Sequence, residues 1–278
     1  MYYRPETLDE AVNVLASSGG QILAGGTDFF PSLGDRPVAG NVVDISGLGE
    51  LKGVVSEPDY VRIGGLTTWT EFIKTPLPRC FDGLKAAARE IGGIQIQNRG
   101  TVAGNLCNAS PAADSVPPLL ALDAEVELIS QSGRRRVPLA DFITGNRRTL
   151  RQPGEILSQV LVPRTVENAS SVFLKLGARC YLVISIAMVA VVIQKDSSNR
   201  VTDARVAVGS CSAVACRLRA LEHRLKGAFA AAGLGSVVTA DHLTELSPID
   251  DIRASAAYRR DAAVRLVQRA LDACAGSA

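Results

Sequence analysis

Residues 91–114 constrain this chain more than any other stretch. They read Ile-Gly-Gly-Ile-Gln-Ile-Gln-Asn-Arg-Gly-Thr-Val-Ala-Gly-Asn-Leu-Cys-Asn-Ala-Ser-Pro-Ala-Ala-Asp, glycine-punctuated and dense in hydrogen-bonding side chains. An irregular segment this long inside a compact domain is usually functional or disordered. The apolar residues Ile91, Ile94, Ile96, Val102 and Leu106 argue that it is packed. Thr101, Gly104 and Asn105 can present donors to phosphate oxygens, and Asp114 can accept from a ribose hydroxyl or an ordered water.

A second glycine-rich segment, Leu23-Ala24-Gly25-Gly26-Thr27-Asp28-Phe29-Phe30-Pro31, leaves a short strand and turns sharply. Glycines let backbone N–H groups converge on an anion, and Thr27 adds a hydroxyl. An ordinary β-turn accounts for the same residues. Neither the dinucleotide fingerprint GxGxxG nor the P-loop pattern occurs here.

At 278 residues the chain has room for about two domains. Aromatics make up 5% of it, which supplies stacking platforms for single-stranded nucleic acid poorly. Only His223 and His242 exist, both late, against a His-rich metal site or a Ser-His-Asp triad in the first two-thirds. His223 reads as a surface residue and His242 as a cap or loop residue. Net charge is +2, too near neutral to imply nucleic acid. Residues 1–130 carry 9 Lys/Arg against 16 Asp/Glu and the remainder 21 against 12. Such asymmetry fits a docking surface, an anionic ligand or simply a solvated surface. The six cysteines form no CxxC, and Cys107 reads as a small packing residue. With no secretory signal at Met1-Tyr2-Tyr3-Arg4, the expectation is reduced thiols in a cytoplasm. The longest apolar run, 181–193, is too short to span a bilayer and is interrupted by Ser185.

Periodicity predicts a first helix from Thr7, capped by its hydroxyl and ended by Gly19-Gly20. Short strands follow at 21–24, 41–45 and 60–64, then helices from Thr68 and over 81–91. Residues 124–130 and 156–162 alternate as strands, with a turn at 133–136. The polar stretch 164–171 marks a boundary. Beyond it, 173–176, 184–193 and 201–208 predict a three-stranded antiparallel meander with a turn at Asn199. A terminal helix over 258–274 places Ala262, Leu266, Val267, Ala270 and Leu271 inside and Arg259, Arg265, Arg269 and Asp272 mostly outside. The fold class is α+β.

The two glycine-rich segments at this spacing resemble the FAD-binding medium subunit of the xanthine dehydrogenase family of molybdenum hydroxylases, of the vanillyl-alcohol-oxidase-like, PCMH-type FAD fold. Phe173-Leu174-Lys175-Leu176 and the stretch from Pro248-Ile249-Asp250-Asp251 to Tyr258-Arg259-Arg260 resemble further family segments, so the likeness spans essentially the whole chain. It implies an FAD-binding domain over 1–165, with subdomains of about 1–55 and 56–165. A C-terminal domain of the CO dehydrogenase flavoprotein type, a three-stranded antiparallel sheet plus a helical bundle, would fill 166–278. Leu23, Ala24, Gly25, Gly26, Thr27, Asp28, Phe29 and Phe30 match the pyrophosphate loop, and Thr101, Val102, Ala103, Gly104 and Asn105 the second phosphate loop. Asp114 matches an acidic residue on the flavin nucleotide, Ile91 and Ile156 packing positions, and Lys175 a cation near the flavin ring. Ala103 stands where the family often has glycine. After Lys175 the chain runs Arg179-Cys180-Tyr181-Leu182-Val183, without the usual acid.

The resemblance further implies non-covalent FAD, since no histidine precedes His223 to carry a covalent link. It also implies a large molybdenum-cofactor partner and a small partner with [2Fe–2S] clusters, assembled as a dimer of heterotrimers. Electrons would pass from the clusters to FAD and on to NAD⁺ or another acceptor. No metal is expected on this chain, and no catalytic acid or base is nominated, because the chain's task is to position and tune the cofactor. Two alternatives remain: a self-contained flavin-dependent oxidoreductase of the same fold, and a flavin-free structural subunit.

Overall fold

Thr7 opens the first helix, Leu8–Ser18, by accepting from the Glu10 N–H at 3.2 Å. Its apolar stripe of Leu8, Ala11, Val12 and Leu15 is buried against Val43, Ile45, Leu48 and Leu51. Each such leucine contributes roughly 1.5–3 kcal/mol on burial. The computed structural model describes residues 1–276, so the last two residues of the expected C-terminal domain lie outside the described residues.

The chain forms two compact units. One gathers Met1–Thr75, Gly93–Ala109 and Ala124–Val162. It holds a three-stranded parallel sheet with Val42–Asp44 between Tyr2–Tyr3 and Gln21–Leu23. A five-stranded sheet follows, ordered Val54–Ser56, Tyr60–Gly64, Ile156–Pro163, Glu125–Ser130, Gly133–Pro138. The basic run expected as a turn at 133–136 is thus an edge strand. Arg134 and Arg136 lie 3.5 and 3.9 Å from Glu127, and Arg135 pairs with Glu155 at 2.6 Å, so carboxylates hold the run in line.

The other unit gathers Pro76–Gly92, Ser110–Asp123 and the chain from Pro163 onward. Its antiparallel sheet is ordered Ser170–Leu176, Ala187–Lys195, Val201–Gly209, Cys216–Arg217. The meander is as expected, with Asn199 at φ +59° in its turn and a two-residue fourth strand added. Ala187–Lys195 is buried on both faces, as its unbroken apolar run requires. Val189, Val191 and Ile193 meet the helix Ala256–Ala275, while the helices Asp82–Glu90 and Val116–Ala121 also pack on the sheet. The helical part comprises the 20-residue Ala256–Ala275, the shorter Arg219–Leu225 and two 3-10 turns.

One expected surface residue is inside. Arg259 is 3% exposed, and its guanidinium donates to the Ile186 carbonyl at 2.6 Å, the Ser210 carbonyl at 3.1 Å and Asp251 at 2.7 Å. Helical periodicity placed it on the polar face. A buried arginine offsets the cost of burial by pairing, here with three oxygens on its two terminal nitrogens while Nε is left without a partner. His223 is exposed, and His242 caps a turn by accepting from the Thr239 N–H, both as expected. No helix among the described residues is long and apolar enough to cross a membrane.

Candidate functional site

The first glycine-rich segment begins where the strand Gln21–Leu23 ends. Gly25 abuts the 99–100 main chain so closely that a Cβ would lie 1.9 Å from the Arg99 carbonyl oxygen. Gly26 sits at φ +77°, a left-handed conformation open to glycine. Together they turn the chain so that a row of donors is left over. Among the described residues, no protein acceptor takes the N–H of Gly25, Gly26, Thr27, Asp28 or Phe29, and the Thr27 hydroxyl is likewise unpartnered. Consecutive free N–H groups around a left-handed glycine form an anion nest. Of the two sequence alternatives, this arrangement fits the nest, and it suits a diphosphate. Phe29 and Phe30 follow in a short helix, Phe29–Leu33, edge to face at 5.2 Å, with Phe30 exposed.

The second segment is more regular than expected. It contains the helical turn Ile94–Gln97 and the helix Val102–Asn108, capped by Thr101, whose hydroxyl accepts from the Gly104 N–H at 3.1 Å. The N–H groups of Val102 and Ala103 go to the Thr67 and Gly65 carbonyls, and that of Asn105 to Thr101. These donors are therefore satisfied within the protein. Val102 and Ala103 form buried walls, Gly104 is exposed and Asn105 half-buried. Ala103 is helical, so the replacement of a family glycine there carries no backbone strain. The two segments touch: a Cβ on Gly100 would lie 3.4 Å from the Thr27 hydroxyl.

Asp114 and Lys175, 61 residues apart, meet as an ion pair at 2.7 Å, each with 8% of its side chain exposed. The Ser185 hydroxyl donates to the other Asp114 oxygen at 2.6 Å. Burial raises the Asp114 pKa, against the opposing pull of Lys175 and the Ser185 hydrogen bond. Sequence reading noted Ser185 only as a break in an apolar run. A lone hydroxyl inside a buried strand region was the signal that a polar partner awaited it. Ile91, half-buried, ends the helix Asp82–Glu90. Ile156 is 1% exposed and packs among Leu8, Ala11 and Val43, which leaves only its backbone for a ligand.

The chemistry on offer is binding. Among the described residues no three His, Cys, Asp or Glu cluster to hold a metal, and all six cysteines are free. Burial pushes the Cys107 thiol up to about 11, so it is neither a thiolate nor a ready nucleophile.

A family model described as the FAD binding domain in molybdopterin dehydrogenase matches residues 1–165, and one described as the CO dehydrogenase flavoprotein C-terminal domain matches 173–274. The nicotinate dehydrogenase FAD-subunit of Eubacterium barkeri is 34% identical over 235 residues, covering 82% of this chain and 79% of that one. The carbon monoxide dehydrogenase medium chain of Hydrogenophaga pseudoflava is 30% identical over 277 residues, covering 98% and 96%. A solved carbon monoxide dehydrogenase from Hydrogenophaga pseudoflava, lacking the Mo-pyranopterin moiety of its cofactor, superposes with a TM-score of 0.88 at 29% identity, over 98% of this chain and 96% of that one.

Proposed function

The chain belongs to the family of FAD-binding medium subunits of molybdopterin hydroxylases, and from that premise we propose that it relays electrons from [2Fe–2S] clusters on a small partner, through FAD, to NAD⁺ or another acceptor. It is an FAD-binding subunit of a molybdenum-containing dehydrogenase. A large partner with the molybdenum cofactor would oxidise the substrate, and the assembly would be a cytoplasmic dimer of heterotrimers. The observation that carries this reading is the row of unpartnered N–H groups from Gly25 to Phe29 around a left-handed Gly26.

FAD, bound non-covalently, supplies the redox chemistry. In this reading the chain's residues bind and orient it. The N–H groups of Gly25 to Phe29 take the diphosphate, with Leu23, Ala24 and Phe30 beside it. Thr101 to Asn105 present a second wall, through the exposed Gly104 backbone and the Asn105 carboxamide. Asp114, fixed by Lys175 and Ser185, accepts from the nucleotide, while Lys175 brings a cation near the ring. Ile91 and the Ile156 backbone complete the contacts. The FAD-binding domain would span 1–165, in two subdomains divided near residue 55, and the C-terminal domain 166–278.

The test is a visible spectrum of the purified chain and of its acid-precipitated supernatant. A flavin band that moves wholly to the supernatant and is identified as FAD supports the reading. Absence of flavin, even after reconstitution with excess FAD and the copurifying partners, would leave a structural subunit. FAD with no molybdenum or iron–sulfur partner would favour a self-contained oxidoreductase.

A further inference from the structure

A cavity of about 590 Å³, lined by Cys107, Thr144, Arg147, Arg148, Thr149 and Arg151, has no place in the flavin reading. Its volume lies in the range of small-molecule sites, roughly 300–1,000 Å³. Three guanidinium groups line it and no carboxylate does. The nearby Glu155 is committed elsewhere: its oxygens accept from Arg135 at 2.6 and 2.9 Å and from the Gln152 N–H at 2.7 Å. Arg151 reaches only the Glu155 carbonyl, at 2.9 Å. The Arg148 guanidinium has no hydrogen bond or ion pair among the described residues, and neither has the Thr144 hydroxyl. The positive charge of the cavity is therefore only partly balanced: Asp28 lies 3.9 Å from Arg147, and the Glu155 carboxylate, held by Arg135, also feels the Arg151 charge.

The backbone is bent to build it. Arg147 adopts φ +58°, in the left-handed region that residues with a Cβ avoid, between the strands Ile143–Gly145 and Arg148–Thr149. Its N–H donates to the carbonyl of Ala109, itself at φ +47°, and its guanidinium donates to the Asn108 carboxamide. Held in this way, the turn presents Arg148 unpaired. A glycine or asparagine at 147 would make the turn at less strain but remove one of the cations. Backbone strain of this kind gathers at ligand sites.

We propose that this cavity is a second anion site, taking the phosphate of a nucleotide-sized ligand other than FAD. Arg148 and Arg151 supply planar pairs of donors that match phosphate oxygens, and the Thr144 and Thr149 hydroxyls add neutral ones. The volume beyond the guanidinium groups accepts the rest of the ligand. The proposal rests on the flavin reading only in assigning FAD to the nest at residues 25–29.

The experiment titrates inorganic pyrophosphate and then ADP into the full chain saturated with FAD, by calorimetry, with flavin content read separately from absorbance. Pyrophosphate should bind; ADP should bind at least threefold tighter. Arg148→Gln should weaken both about tenfold and Arg148→Gln/Arg151→Gln further, with flavin content unchanged. Arg148 is exposed, so its replacement leaves the core intact. Loss of the pyrophosphate signal on FAD saturation would make the cavity part of the flavin site and overturn the proposal. Variants within twofold of the parent would overturn it too, and ADP no tighter than pyrophosphate would overturn the nucleotide assignment. A chain that takes up no FAD yet binds both anions through Arg148 would remove the flavin reading and leave the cavity standing.

Discussion

Replacing Gly25 by alanine is the sharpest perturbation of the nest. The new Cβ would stand 1.9 Å from the Arg99 carbonyl oxygen, 2.7 Å from its carbon and 3.2 Å from Gly100 Cα, where real Cβ atoms essentially never come within 3.0 Å. All three obstacles are main chain, so no side chain can swing aside. One backbone must move by roughly 1 Å, an overpacking that costs about 1–3 kcal/mol of stability. The same movement displaces the row of N–H groups. Hydrogen bonds to a charged group are worth about 1.5–3 kcal/mol each. Losing the alignment of two would cost at least about 3 kcal/mol, or roughly 100-fold in FAD affinity. Gly47→Ala is the matched control, because its Cβ would meet nothing within 4 Å and it lies outside both glycine-rich segments. Urea unfolding and FAD titration by flavin fluorescence read both quantities. A Gly25→Ala chain that binds FAD within twofold of the parent at an unchanged urea midpoint would refute the reasoning.

Lys175→Met strands the Asp114 carboxylate in a buried site and should cost about 3–5 kcal/mol in urea unfolding, with Lys175→Met/Asp114→Leu recovering more than half; a single-variant cost below about 1 kcal/mol would count against a buried pair. Glu155 is a pH handle. Burial alone would raise its pKa, but hydrogen bonds from Arg135 and the Gln152 N–H bring it below the ordinary value. The stability it adds is present above the ordinary glutamate range and lost as pH falls through the lowered value. The gap between the parent and Glu155→Gln in chemical unfolding should thus be widest near neutrality and close in acid, and a gap independent of pH would contradict the pairing. Arg259→Lys keeps the charge but not the fork that reaches two carbonyls and Asp251, so a loss of about 2–4 kcal/mol is expected on unfolding, and a neutral outcome would show that a point charge suffices. A thiol reagent near neutral pH should label exposed Cys180 first and half-buried Cys107 more slowly, since its thiol is held at about 11; mass-spectrometric mapping that finds the two labelled together would contradict that raised value.

Much of the fold was legible because its signals are local. Thr7, Glu10 and the Gly19-Gly20 pair set the ends of the first helix within a few residues. The unbroken apolar run around 187–193 announced a strand covered on both faces. What stayed hidden was set by partners distant in sequence. Arg134 to Arg136 form a strand because Glu127 and Glu155 lie across from them, and no window of a few residues contains that information. Arg259 is buried because the carbonyls of residues 186 and 210 and the Asp251 carboxylate converge on it. In the candidate site, the glycines of both segments marked the places where backbone comes close. The partners of Asp114 did not show, since Lys175 and Ser185 reach it only once the strand Ser170–Leu176 is laid down.

The way each unit collects its pieces bears on how the chain is made. The helices Asp82–Glu90 and Val116–Ala121 belong with a sheet whose strands begin at Ser170 and are not complete until Arg217. Leu84, Ala87 and Ala88, with Leu119 and Leu120, are therefore synthesised long before the strands that cover them. At typical elongation rates the wait is on the order of ten seconds, during which those apolar stripes face solvent or a chaperone. A nascent chain that had emerged only as far as residues 162–170 would hold every piece of the first unit while the seeds of the second stayed exposed. For the same reason a protein cut at residue 165 would hold two orphaned helices, and its yield as a fragment would be governed by their stickiness as much as by the stability of the part that folds.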